Sequence, residues 1–126
     1  MSITHSIYLV SDTAQAEEFL GRYFGFVVYA DELTLTGDRF FTMGESGSAG
    51  LQLQIVECDW LAQVVALKRA SNIVDYIVET DDIQNLVARL VSGGLNIIRQ
   101  PAVADYGITA IFEDPFGNLW DLIQRP

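Results

Sequence analysis

The chain of 126 residues is poor in side chains that bind soft metals, with one cysteine, Cys58, and one histidine, His5. A lone cysteine cannot form an internal disulfide and is typical of a reducing compartment, so we expect a cytoplasmic protein. The N-terminus lacks a basic segment followed by an apolar one, and no apolar run reaches about 18 residues. We therefore expect neither a secretory signal nor a membrane span.

Basic residues are also scarce. Lysine and arginine total 7 against 17 aspartates and glutamates, for a formal net charge of −10. This charge argues against nucleic acid or an anionic membrane as partner and favours neutral or cationic ligands. Half of the residues are hydrophobic, which is enough for the core of one domain of this length.

Hydrophobic periodicity divides the chain into two halves with one plan. In residues 1–57, Asp12 is typical of a helix N-cap and Gly25 of a helix end. The glycine- and serine-rich residues 44–50 predict a flexible turn between the last two strands. The first half is predicted to contain strands at 3–10, 26–30, 39–43 and 51–57 and a helix at 13–24.

Residues 73–126 repeat this order. Asp81 or Asp82 caps a helix that ends at Gly93. Residues 58–72 connect the halves, and their segment 60–70 has helical propensity. The predicted class is α+β, with two β-α-β-β-β modules forming curved mixed sheets round a cleft. In the second half the predicted strands are 73–80, 95–99, 108–113 and 119–124, and the predicted helix buries Ile83, Leu86, Val87 and Leu90.

The stretch 112–124 is the most informative part of the chain. Pro115 suits the first central position of a tight turn, and Gly117 suits its exit. Alternation along the following strand places Asp121 with apolar neighbours on one face, whereas Trp120 points to the opposite, helix-covered face. A carboxylate in the middle of a strand is costly to bury without a partner, so we expect another group on that face to compensate for Asp121.

Paired β-α-β-β-β modules, an opening strand with His5 and Asp12, and the closing motif 113–118 followed by Asp121 resemble the vicinal oxygen chelate superfamily. That group includes glyoxalase I, fosfomycin-resistance enzymes, extradiol dioxygenases and bleomycin-resistance proteins. The resemblance covers nearly the whole chain and implies one fold with many possible functions.

The resemblance implies a metal site formed by the first and fourth strands of each module. The matching residues are His5, Gln54, Asp75 and Asp121, although Gln52 shares the face of Gln54 and a two-residue slip is possible. One imidazole and three oxygen donors form a harder site than a typical structural zinc centre. Such a site suits Mn²⁺, Fe²⁺, Ni²⁺, Co²⁺ or Mg²⁺ better than an ion that prefers thiolates. Asp121 is also the candidate catalytic group, because a carboxylate that leaves the metal can take a proton.

Other residues are candidates for the lining of a ligand site. Glu79 shares a face with Asp75 and is a second carboxylate for it. Aromatic side chains near loops can stack on a planar or cationic ligand. The ligand-binding candidates are Gln52, Glu79, Tyr106 and Phe116.

Two functions remain nearly level. The favoured one is a glyoxalase/bleomycin-resistance-like protein that binds a small molecule in a cleft between the modules, without metal or catalysis. The alternative is a lyase, isomerase or dioxygenase that uses one divalent metal, Mn, Fe, Ni, Co, Mg or Zn, on a substrate with vicinal oxygens. A third possibility is a partner-binding module that keeps only the fold. In each case the exposed sheet edges and the resemblance predict a homodimer.

Overall fold

A computed structural model describes residues 1–47 and 50–126, so the middle of the predicted turn at 44–50 lies outside the described residues. The chain divides into two compact units, Met1–Leu61 and Ala62–Pro126. Each contains a four-stranded mixed sheet and a helix that follows its first strand, so the predicted α+β class with two β-α-β-β-β modules is confirmed.

In the first unit the strand order is β1-β4-β3-β2, with β1 and β4 parallel and the other pairs antiparallel. Asp12 caps the helix by accepting the backbone N–H of Gln15 at 2.8 Å, and Gly25 ends it with φ +68°. The elements are β1 (His5–Val10), α1 (Thr13–Phe24), β2 (Val27–Leu33), β3 (Arg39–Gly44) and β4 (Gln52–Glu57).

The second unit has the corresponding order β5-β8-β7-β6, with β5 and β8 parallel. The connector helix α2 begins at Leu61, and the rest of it belongs to this unit. Asp82, and not Asp81, caps the next helix by accepting the N–H of Asn85 at 3.1 Å. The elements are α2 (Leu61–Ala70), β5 (Tyr76–Glu79), α3 (Ile83–Ser92), β6 (Asn96–Ala104), β7 (Gly107–Glu113) and β8 (Leu119–Gln124).

Several strand boundaries differ from the prediction: β1 begins at His5 instead of residue 3, β2 ends at Leu33 instead of residue 30, and β6 and β5 also change. β6 continues five residues past Arg99, through Pro101, because it is an edge strand with two register shifts, where a proline is tolerated. β5 begins at Tyr76 instead of residue 73, since the N–H of Ile73 bonds to the carbonyl of Lys68 and closes the end of α2. The predicted apolar stripe of α3 is buried at all four positions.

Among the described residues no helix is long and apolar enough to cross a membrane.

Candidate functional site

The strand registers define equivalent positions in the two units. In the first unit His5 lies opposite Gln52, and Ile7 lies opposite Gln54. In the second unit Ile77 lies opposite Asp121. Because Ile7 and Ile77 occupy matching places in the first strand of each module, Asp121 takes the place in the second sheet that Gln54 has in the first.

In the first unit two polar side chains of this face, Gln52 and His5, have local hydrogen-bond partners. The hydroxyl of Thr42 donates to Oε1 of Gln52 at 2.8 Å. His5 is exposed, its Nδ1 and the hydroxyl of Thr4 are hydrogen-bonded at 2.8 Å, and its ring lies beside Phe40 with centroids 5.8 Å apart. Because His5 lies opposite Gln52 and alternate residues of a strand share a face, the predicted candidates His5, Gln52 and Gln54 lie on one face of this sheet.

In the second unit Asp75 is held by two donors. Lys68 Nζ donates to its Oδ1 at 2.7 Å, and the N–H of Leu119 donates to its Oδ2 at 3.2 Å. Lys68 also donates to Asn118 Oδ1 at 2.8 Å. The ion pair is largely buried, with side-chain exposures of 19% and 14%. Asp75 thus already has a cation as its partner, and that cation comes from α2.

A second basic residue attaches α2 to the same sheet. Arg69 Nη2 donates to Glu113 Oε2 at 2.6 Å and to the carbonyl of Gly117 at 3.3 Å. The sequence predicts residues 58–72 as a connector with helical propensity over 60–70, and it predicts no role for this pair of cations. The signal was present in the sequence, because two adjacent basic residues in the last turn of a helix are scarce in so acidic a chain.

Asp121 differs from Asp75. It is partly buried, and its Oδ1 is buried without a hydrogen-bond partner among the residues that the structure describes. Its register neighbours are Ile77 and Ile111. Burial raises the pKa of the Asp121 carboxyl, and the positive charge of Arg99 opposes this shift only in part. The sequence predicts a compensating group for this carboxylate, and among the described residues no donor bonds to its Oδ1.

The remaining candidates are distributed around the second sheet. Glu79 lies on the face of Asp121 and pairs with Arg125 Nε at 3.1 Å, with both side chains more than half exposed. Tyr106 is exposed in the turn between β6 and β7. Phe116 is buried in the turn between β7 and β8. The two aromatic candidates thus lie at opposite ends of β7 and do not meet.

Asp114 organises the turn between β7 and β8. Its Oδ1 accepts the N–H groups of Phe116 at 2.8 Å and Asn118 at 2.9 Å, and its Oδ2 accepts Trp120 Nε1 at 2.9 Å. Gly117 has φ +90°, as predicted for the turn exit. The role of Asp114 was not predicted, although an Asp at the first position of a turn with proline second is a known signal for such side-chain bonds.

In the second unit the contacts of Asp75 do not favour a metal ion. Over residues 1–47 and 50–126, no three His, Cys, Asp or Glu side chains form a group that could hold a metal. Both oxygens of Asp75 are already engaged by Lys68 and Leu119.

The chain matches the family model of the Glyoxalase/Bleomycin resistance protein/Dioxygenase superfamily over residues 2–122. It belongs to this superfamily. A relative from Shewanella frigidimarina (strain NCIMB 400), an uncharacterized protein, is 31% identical over 125 residues, which are 98% of this chain and 93% of the relative.

Solved structures with this fold include an antibiotic-binding protein. The protein TnmS3 from Streptomyces sp. CB03234, described as an antibiotic binding protein, is 25% identical with a TM-score of 0.76, and the match covers 100% of this chain and 97% of TnmS3. A superfamily member from Sphaerobacter thermophilus DSM 20745 is 21% identical with a TM-score of 0.76, covering 99% and 98% of the two chains.

Proposed function

We propose that this protein binds a small organic molecule on the Asp121 face of its second sheet, and that it does so without a metal and without catalysis. The observation that carries the proposal is the carboxylate of Asp121, which has a buried oxygen with no hydrogen-bond donor in the described part of the chain. A buried polar group without a partner costs about 1–3 kcal/mol. A ligand that donates to this carboxylate offsets that cost, so the site favours binding of a donor.

The surroundings of Asp121 support an organic ligand. Ile77, directly opposite on β5, is 66% exposed, and Ile111 on β7 is partly buried. Apolar surface around a few polar groups is typical of small-molecule sites. The printed function of TnmS3, antibiotic binding, agrees with this class of ligand.

A divalent-metal enzyme is the alternative, and the state of Asp75 weighs against it. A metal at His5, Gln54, Asp75 and Asp121 requires Asp75 to leave Lys68 and the N–H of Leu119. Removal of one partner from a buried ion pair leaves the other charge uncompensated and costs several kcal/mol.

Metal analysis separates the two functions. The purified protein is dialysed without chelator, its bound metals are quantified, and its thermal unfolding is followed with Mn²⁺, Fe²⁺, Ni²⁺, Co²⁺, Mg²⁺ and Zn²⁺. We expect no stoichiometric metal and no stabilisation. One equivalent of metal that is lost in both His5→Ala and Asp121→Ala would replace the binding proposal with the enzyme.

We also propose a homodimer. β2 and β6 are edge strands of their sheets, and their unpaired backbone groups favour association with a second chain. Light scattering at micromolar concentration tests this proposal, and a monomer mass would contradict it.

A further inference from the structure

One transverse row of residues crosses all four strands of the second sheet. Ile77 lies opposite Asp121, Asp121 opposite Ile111, and Ile111 opposite Arg99. Directly opposite residues point to the same face of a sheet, and neighbouring strands lie about 4.8 Å apart. The Cα atoms of Asp121 and Arg99 are therefore about 10 Å apart, two strand spacings, with an isoleucine between them.

Asp121 and Arg99 are the two charged residues of this face that form no ion pair within the described part of the chain. The other three are paired: Asp75 with Lys68, Glu79 with Arg125 and Glu113 with Arg69. Arg99 is exposed and uses one nitrogen, Nη2, to donate to the hydroxyl of Thr109 at 3.3 Å. An anion and a cation are thus held apart on one face, each with free hydrogen-bonding capacity.

We propose that this row binds a zwitterionic ligand, with its ammonium or other cationic N–H donor at Asp121, its carboxylate or other oxyanion at Arg99, and its apolar body over Ile111. This inference rests on the proposed function and specifies its ligand class. A guanidinium binds a carboxylate through parallel hydrogen bonds, and charged hydrogen bonds are stronger than neutral ones. The distance between the two charges favours a ring or short chain between the ends of the ligand.

A set of four benzene derivatives tests the inference. The probes are 4-(aminomethyl)benzoate, which carries both charges, benzylamine, benzoate and benzyl alcohol. Binding is followed by amide chemical shifts of β7 and β8 in the full chain. Because the zwitterion makes charged hydrogen bonds at both ends, we expect it to bind at least about tenfold tighter than either singly charged probe.

Two variants assign the ends of the ligand. Asp121→Asn is expected to remove the advantage of the zwitterion over benzoate, and Arg99→Gln its advantage over benzylamine. The matched controls are Asp105→Asn, in the exposed turn between β6 and β7, and Arg89→Gln, on α3. Both controls should retain the full preference for the zwitterion, and Asp105→Asn makes the same charge change as Asp121→Asn.

The outcomes distinguish this inference from the proposed function. Equal binding of the four probes, or equal effects of the site and control variants, would contradict the preference for a zwitterionic ligand. The proposal that the protein binds a small molecule on this face would still stand. If no probe shifts the amides of this face, both proposals fail together.

Discussion

The two units have the same topology but differ in the chemistry of one sheet face. Gln54 and Asp121 occupy equivalent register positions, and His5 and Asp75 occupy the matching places at the start of each module. The first unit carries neutral amides and one imidazole there, whereas the second carries carboxylates. The fold therefore depends on the apolar face under each helix, and the opposite face can change its charge without loss of topology.

The second unit also has cationic partners for two of its carboxylates. Helix α2 contributes Lys68 to Asp75 and Arg69 to Glu113. These ion pairs neutralise two of the acidic groups and leave Asp121 as the exception. A carboxylate that has no ion pair among the described residues, on a face where the other carboxylates are paired, is the observation on which the proposed binding site rests.

The largest loss of stability is expected from substitution of Asp114. Its side chain accepts three hydrogen bonds in the second unit, whereas the helix cap Asp12 of the first unit accepts one from Gln15. Asp114→Ala removes the side-chain acceptor of three buried hydrogen bonds. At about 1–3 kcal/mol for each donor, the free energy of unfolding should fall by at least about 3 kcal/mol in urea denaturation. The control Asp12→Ala removes one helix cap and should cost about 1 kcal/mol. Equal losses in the two variants would contradict this account of the turn.

The next largest loss of stability is expected when the ion pair between Lys68 of α2 and Asp75 is broken. Lys68→Met leaves Asp75 charged and largely buried, so we expect the free energy of unfolding to fall by about 3 kcal/mol. The comparison is Arg125→Gln, which breaks an exposed ion pair to Glu79 and should cost less than about 1 kcal/mol. Denaturation of both variants under one set of conditions measures the difference. A loss no greater for Lys68→Met would show that α2 does not anchor Asp75.

The smallest change in stability is expected from variants that alter the charge at the equivalent positions Asp121 and Gln54. Burial raises the pKa of Asp121, so the ionised form is disfavoured in the folded state. That cost is present above the raised pKa and disappears as the pH falls through it. Asp121→Asn should therefore raise the melting temperature slightly at pH 7 and have no such advantage at low pH.

The converse change is Gln54→Glu, which places a carboxylate at the equivalent position of the first sheet. It should lower the melting temperature at pH 7. Thermal melts of the parent protein and both variants from acidic to neutral pH test the pair. A lower melting temperature for Asp121→Asn at pH 7 would mean that the carboxylate already has a stabilising partner.

Local patterns were sufficient to predict most of the fold. The alternation around Asp121 and the caps at Asp12 and Gly25 depend on near neighbours in sequence, and all three are present. The continuation of β6 beyond Arg99 was missed because strand pairing with β7 outweighs the local effect of Pro101. The partner of Asp75 was missed for a similar reason, since Lys68 lies on another element and its contacts with Asp75 and Asn118 are tertiary.

The ionisation of Asp121 tests the central claim most directly, because both proposals depend on a carboxylate that has no partner in the free protein. Its side-chain carbon can be followed by NMR during a pH titration of the full chain. The account predicts a pKa above the ordinary aspartate value of about 3.9. A pKa at or below that value would contradict it, because it would reveal a donor or cation that already stabilises the charge.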